Sequence, residues 1–331
     1  MIVIDGGFGE GGGQIVRTAI ALSAVTGTPL QIRDIRVGRS QPGLKAQHVK
    51  AIETVGRLSR AEYRGVDIGS TEVTFTPHRI TGGAMRVDIG TAGSIPLLMQ
   101  SVAPLGLVAS DRITLRLIGG TDVAWSPSID YMVYVFFEAL SRMGFDARVR
   151  LIARGYYPRG GGVVDFEILP SSIRPHRFES TGCRVVFGVS HASNLPTHVV
   201  RRQRTAANEV LSSHGFKCDI VEESGVFESV GSGITLWCGH IGACSPGERG
   251  LRAELVGEGA ANAMVSELEG GVGVDVHLAD QLIPYFGLAG GGSLTVRELS
   301  DHIMTNIHVV EQLLNVSFVV RRVEDVIRIS L

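Results

Sequence analysis

An α+β fold is predicted for this chain: three repeated βαβαββ units forming one large domain, with a small α+β domain inserted into the third. Three observations predict it. The same order of elements can be read three times along the 331 residues, and such repetition marks an architecture built from copies of one supersecondary unit. Short stretches of period-2 alternation are followed by apolar stripes at steps of three and four, so strands alternate with helices. Hydrophobic residues make up 44% of the chain against 19% charged, enough to bury a large core.

The first unit spans about 1–77. It reads as a strand (Ile2 to Asp5), a glycine loop, a helix over about 13–26, a strand (Leu30 to Val37), a helix over about 43–58 and two strands near 61–67 and 71–77. Val16, Ala19, Ile20 and Ala24 give the first helix its apolar stripe, and Gly27 stops it. Val73 and Phe75 alternate with polar neighbours as a strand does. The second unit, about 84–168, repeats the order through MRVDIG, the helix containing Pro96, RITLRLIGG, a helix closed by Gly144, and the strand pair ARVRLIARGYY and GGVVDFEIL. The third has helix 277–288, strand 293–299, helix 301–314 and the strands NVSFVVRR and DVIRISL, but no first strand next to them. The run from Arg174 to Glu179 is expected to supply it. The large domain is then 1–180 with 271–331, the third repeat being 173–180 plus 271–331. Residues 181–270 form the insert, with strand 183–190, helix 197–213, strands 217–222, 233–238 and 251–256, and helix 258–268.

Composition excludes several function classes. Net charge is −2, so this is no bulk basic nucleic-acid coat protein. No apolar run approaches a membrane span and no signal-peptide pattern opens the chain. No membrane association and a cytoplasmic location are expected. Cys183, Cys218, Cys238 and Cys244 lack CxxC spacing, so reduced thiols are expected rather than zinc or a disulfide framework. There are 28 arginines against 3 lysines, and no lysine stands in a GxxxxGK[ST] or KxDG context. A P-loop is excluded, and a covalent nucleotide intermediate would need a nucleophile other than lysine.

His302 is that candidate. It falls in the first turn of the predicted 301–314 helix, after Ser300 as N-cap and Asp301. A helix N-terminus attracts phosphate and disfavours a protonated imidazole. A neutral imidazole beside bound phosphate is suited to attack phosphorus. The plainer alternative is a surface histidine in a cap. Residues 5–17, DGGFGEGGGQIVR, contain GxGxxG at Gly7, Gly9 and Gly12, with Asp34 at the distance of a dinucleotide ribose contact. A nicotinamide-binding reading ranks second. Asp34 sits inside the predicted strand, the element order is not a Rossmann half, and Glu10 would face a pyrophosphate with like charge unless a metal bridged them. Glu10 with Arg17 suits a metal–triphosphate better.

In order along nearly the whole chain, GEGGGQIVRTAIALS, RVGRSQPGLKAQH, GSIPLLMQ, RGYYPRGGG, HLADQL, LAGGGS and DHIMTNIHVVEQLL resemble the RNA 3'-terminal phosphate cyclases. The resemblance implies conversion of an RNA 3'-phosphate to a 2',3'-cyclic phosphate with ATP and a divalent metal, Mg²⁺ or Mn²⁺. It implies a histidine that takes AMP, releases pyrophosphate, and passes AMP to the RNA 3'-phosphate, from which the vicinal 2'-OH expels it. The nucleophile carries over to His302 within DHIMTN. Glu10 resembles the metal-coordinating glutamate. Arg17, Arg36, Arg39 and Gln47 resemble the phosphate-binding set, and Gln100 a glutamine near the ATP phosphates. Asp280 and Gln281 resemble the pair that holds the nucleotide. Pro127 is a candidate for one face of an adenine sandwich. His277 departs from the pattern by standing where a stacking tyrosine is expected, which would weaken the preference for adenine. RGYYPRGGG is expected to be mainly a turn. The expected partners are RNA 3'-phosphate ends and ATP, with a homodimer as an open option. Two further alternatives are a cyclase-like factor of ribosomal RNA maturation, which would lack the nucleophilic histidine, and an enolpyruvyl transferase built from a similar repeated unit.

Overall fold

Among the described residues, four four-stranded sheets carry the fold. The computed structural model describes residues 1–180 and 182–331 and shows a mixed α+β molecule. Strands β1 (Ile2–Asp5), β2 (Leu30–Arg33), β3 (Glu62–Arg64) and β4 (Val73–Thr76) lie in the order β1-β2-β4-β3. Strands β5 (Gly83–Asp88), β6 (Ile113–Gly119), β7 (Ala147–Ala153) and β8 (Gly162–Ile168) follow in the order β5-β6-β8-β7. Next come β9 (Arg177–Phe178), then β10 (Val185–Ser193), β11 (Lys217–Gly225), β12 (Gly231–Cys238) and β13 (Ile241–Pro246), these last four ordered β11-β10-β12-β13. Strands β14 (Ser293–Val296), β15 (Val319–Val323) and β16 (Val326–Ser330) join β9 in the order β15-β16-β14-β9. In each of the four sheets one pair is parallel and the rest antiparallel. A parallel pair needs a crossover, and helices such as Gly13–Thr26 supply it.

The sheets bury one face. Along β6, Ile113, Leu115 and Leu117 are buried while Thr114 and Arg116 are exposed, the alternation of a sheet wet on one side. The helices Gly13–Thr26, Val276–Ala289 and Asp301–Leu314 pack together behind the sheets. One apolar cluster runs from Ile4 to Phe178 and resumes from Val274 to Ile329. A second is drawn from Val186 to Val272.

The two are joined by polar contacts. Arg154, expected in a turn, is 1% exposed and forms a buried hub. Its Nη1 donates to Asp130 Oδ2 at 2.8 Å and Asp122 Oδ2 at 3.2 Å. Its Nε and Nη2 donate to the two carboxylate oxygens of Glu223, on β11, each at 2.9 Å. Ser128 Oγ and Thr235 Oγ1 share a hydrogen bond at 2.7 Å, and Tyr156 Oη and His191 Nδ1 another at 2.8 Å.

Several expectations are corrected. β2 ends at Arg33 rather than Val37, because Asp34 (φ 53°) and Arg36 (φ 56°) are left-handed and break the strand. Asp34 therefore lies in a turn. Residues 251–256 are not a strand: the Ala253–Glu269 helix starts within them, and β13 fills the place in the sheet. Leu251, Ala253 and Leu255 alternate over too short a window to separate the two periods. The cysteines are not all reduced. Cys183 and Cys238 form a disulfide across neighbouring strand ends, with Cα atoms 6.0 Å apart, and Cys218 and Cys244 are free. Thr181, where the insert is expected to begin, lies outside the described residues. Among the described residues no helix is long and apolar enough to cross a membrane.

Candidate active site

The loop before the Gly13–Thr26 helix is seated on the Asp301–Leu314 helix. Gly9 (φ 57°) is left-handed, and a Cβ there would come within 2.7 Å of Thr305 Oγ1, so both backbone and space demand glycine. Phe8 stacks on His308 with ring centroids 3.8 Å apart. This contact brings Glu10, Gln14 and Arg17 to His302.

Ser300 caps the 301–314 helix by accepting from Ile303 N at 3.2 Å, and His302 stands in its first turn. Gln14 decides which imidazole nitrogen is free. Its Nε2 donates to the His302 backbone carbonyl and to Asp280 Oδ2, both at 3.1 Å. A backbone carbonyl only accepts, so the amide nitrogen is fixed on that side. Gln14 Oε1 then faces His302 Nδ1 in a short hydrogen bond, which Nδ1–H must donate. The lone pair of a neutral His302 is left on Nε2, 3.4 Å from Glu10 Oε2. Burial pushes the His302 pKa down, opposed by Glu10 and helped by Arg17, His277 and Arg39. Neutral imidazole is favoured, which is the form a nucleophile needs.

Arg17 stands beside Asp280. Burial lowers the Arg17 pKa to about 10, with Asp280 acting the other way. Burial raises Asp280 to about 8, partly offset by Arg17. Asn306 ties these elements together: its Nδ2 donates to the Asp280 carbonyl at 2.7 Å and its Oδ1 accepts from Thr18 Oγ1 at 2.8 Å.

A cavity of about 380 Å³ opens here. Seven of the sequence candidates line it: His302, Arg17, Gln100, Pro127, His277, Asp280 and Gln281. Glu10 adjoins it through His302, and Arg39 reaches Glu10 at 3.2 Å. Arg36 and Gln47 lie outside its wall. Arg36 is buried and donates to the Gly43 carbonyl at 2.8 Å, shaping the turn after β2. Gln47 Oε1 accepts from Ser94 N at 3.4 Å.

Comparison with known proteins fits this geometry. The family model described as RNA 3'-terminal phosphate cyclase matches residues 8–320. The chain belongs to that family. It is 51% identical to the RNA 3'-terminal phosphate cyclase of Methanococcoides burtonii over 100% of both chains. It is 51% identical to that of Methanosarcina barkeri over 100% of this chain and 99% of the relative. With the cyclase of Archaeoglobus fulgidus it shares 46% identity over 95% and 96% of the two chains. The protein is thus an enzyme of the cyclase type, and the enolpyruvyl-transferase and nicotinamide readings fall away.

Three features of this cyclase-family site were missed in the sequence. Gln14 sets the imidazole tautomer, yet its partners are 266 and 288 positions away. Its spacing of three from Arg17 on the Gly13–Thr26 helix was the available signal that these two share one helix face, while Glu10 lies in the loop before it. Tyr285 Oη, like Oε1 of the sequence candidate Gln281, is buried without a hydrogen-bond partner among the described residues, and Tyr285 lines the cavity. Trp125 also lines it.

Asp280 gives a pH prediction. Its folded pKa is raised above its unfolded value, so between about pH 4 and pH 8 the unfolded chain has released this proton and the native state holds it. Stability from this group falls as pH rises through that window. Asp280→Asn is expected to flatten the decline of thermal midpoint from pH 5 to pH 8. A wild-type slope in the variant would refute the assignment.

Proposed function

We propose that the protein cyclises RNA 3'-terminal phosphates with ATP, through AMP carried on His302. The observation that carries this is the fixed imidazole: Gln14 holds Nδ1–H, so Nε2 presents its lone pair beside Glu10 and Arg17. Nε2 attacks the α-phosphorus, an N–P bond forms, and the bond to pyrophosphate breaks. The ring becomes cationic, with its Nδ1 proton held by Gln14 and with Glu10 close by. An RNA 3'-phosphate oxygen then attacks the same phosphorus and frees Nε2. Finally the 2'-OH loses its proton, attacks the 3'-phosphorus and expels AMP. Splitting one hard displacement into successive ones is what a covalent intermediate contributes.

The other residues take their roles from position. Arg17 and Arg39 suit the phosphates, to which guanidinium offers paired donors. Gln100 stands on the cavity wall near them. Asp280 and Gln281 suit ribose and base, with the unpartnered Gln281 Oε1 as acceptor. Pro127 and His277 suit the two faces of adenine. Arg36 and Gln47 support the loops behind the site rather than touching nucleotide. Glu10 fits a divalent metal that arrives with the triphosphate, since such ions are often held by one or two carboxylates plus phosphates. The metal would offset charge on the phosphoryl oxygens.

The fold reading belongs to the same proposal: 1–180 with 271–331 as a body of three repeats, and 181–270 as an insert. The shared strand order of three sheets and the two separate apolar clusters support it. A cytoplasmic site of action suits the RNA and ATP substrates. The rRNA-maturation alternative has no use for a histidine poised in this way.

The test is incubation with α-labelled ATP and Mg²⁺ or Mn²⁺, followed by denaturation. Label bound as an acid-labile, alkali-stable phosphoramidate is expected, and its absence rejects the mechanism. Glu10→Ala is expected to slow labelling by roughly 100-fold while RNA binding is kept. Equal loss of RNA binding would contradict the role given to Glu10.

A further inference from the structure

Of the two tryptophans, Trp237 stacks on Tyr134 at 4.2 Å, whereas Trp125 is 100% exposed. Trp125 also has a left-handed backbone, φ 64°, which a bulky side chain disfavours. The segment that carries it is firmly held. The Thr121 and Asp122 N–H groups both donate to the Gly155 carbonyl, at 2.8 and 3.2 Å. Ser126 Oγ shares a hydrogen bond with Ser94 Oγ at 2.5 Å, and Ser128 is bonded to Thr235. An indole thus stands in water on a held backbone at the wall of the cavity that contains His302. Buried packing gives no reason for it.

The proposed reaction brings two nucleobases to this cavity. Pro127 and His277 account for adenine. An RNA chain is too large to enter a space of about 380 Å³, so its end must approach from the solvent side, where Trp125 stands. We infer that Trp125 is a stacking platform for the 3'-terminal nucleobase of the RNA substrate, an inference that rests on the cyclisation reading above. The Gly155 loop bonded to this segment continues into Tyr157, 77% exposed, and the exposed Arg159. Aromatic faces with a nearby cation are what sequence-tolerant recognition of single strands uses. Stacking of this kind leaves the enzyme indifferent to which base ends the RNA, because every base has a π face.

The experiment uses the full chain carrying Trp237→Phe, so that Trp125 is the one indole fluorophore. A short 3'-phosphorylated RNA is expected to quench its fluorescence, and an RNA of the same length ending in an abasic ribose 3'-phosphate to quench far less. With otherwise wild-type enzyme, Trp125→Ala is expected to raise the KM for RNA roughly ten- to hundredfold, and Trp125→Phe only a few-fold. The abasic RNA should lose nothing further on Trp125→Ala. Protein labelling by ATP alone is the reference measurement. If Trp125→Ala slows that labelling and leaves the KM for RNA unchanged, the indole serves ATP and the inference is overturned. It is also overturned if base-ended and abasic RNA quench equally. Quenching is read without ATP, so a protein that never takes AMP still reports on Trp125, and failure of the covalent mechanism stays distinguishable.

Discussion

His302→Ala is expected to give a folded protein that takes no label from α-labelled ATP. The side chain is 45% exposed, and the Ser300 cap and Asp301 remain in place, so the helix keeps its start. Truncation leaves the buried Gln14 Oε1 without its imidazole partner, which costs about 1–3 kcal/mol, too little to unfold a typical domain. The chemical loss is expected to be far larger, because in the proposed mechanism Nε2 is the atom to which phosphorus bonds. Removing a nucleophile from a covalent mechanism costs on the order of 10⁴-fold or more. The circular dichroism spectrum should match wild type and the thermal midpoint fall only modestly, while labelling and RNA cyclisation both vanish. Labelling of His302→Ala at the wild-type rate would move the nucleophile elsewhere.

Arg154→Met is expected to be strongly destabilising. The guanidinium is almost wholly buried and serves Asp122, Asp130 and Glu223 together. Its removal strands two buried carboxylates. Breaking a buried ion pair from one side costs about 3–5 kcal/mol. Glu223 is 41% exposed and regains water, so the loss falls on Asp122 and Asp130. Burial already pushes the Asp130 pKa up, with Arg154 pulling it down. Without Arg154 its folded pKa rises further above the unfolded value, so the deficit grows as pH rises from about 4. The thermal midpoint should fall by several degrees at pH 8 and by less at pH 5, and adding Asp130→Asn should recover part of it. A variant as stable as wild type at both pH values would show that the hub contributes no net stability.

The helix bearing His302 was legible because its signals are local. Ser300, Asp301 and the apolar steps behind them fix the start and the face within one stretch of sequence, and the Asp301–Leu314 bounds follow. The candidates that line the cavity were named because seven short motifs stood in register, not because any residue announced its role. Arg36 shows the limit: an arginine after a strand looks solvated or phosphate-bound, and only the folded turn reveals that Gly43 takes its hydrogen bond. Gln14 and Arg154 act on partners distant in sequence, and no periodicity encodes such contacts. The Cys183–Cys238 bridge is equally silent, since 55 residues separate its ends and strand pairing alone brings them together. Asp34 was misplaced because a left-handed turn follows β2 without a glycine at that position.

The pairing of β9 with β14 bears on the order in which a nascent chain can fold. Arg177 and Phe178 leave the ribosome early, but Ser293 and Leu294, which they pair with in parallel, emerge only after the whole second apolar cluster has been synthesised. Contacts of such long sequence separation form slowly, because loop-closure entropy is lost before they repay it. During translation β9 is an unpaired edge, and an unpaired edge invites strands from other chains. Its length of two residues keeps that exposure small until the C-terminal strands arrive.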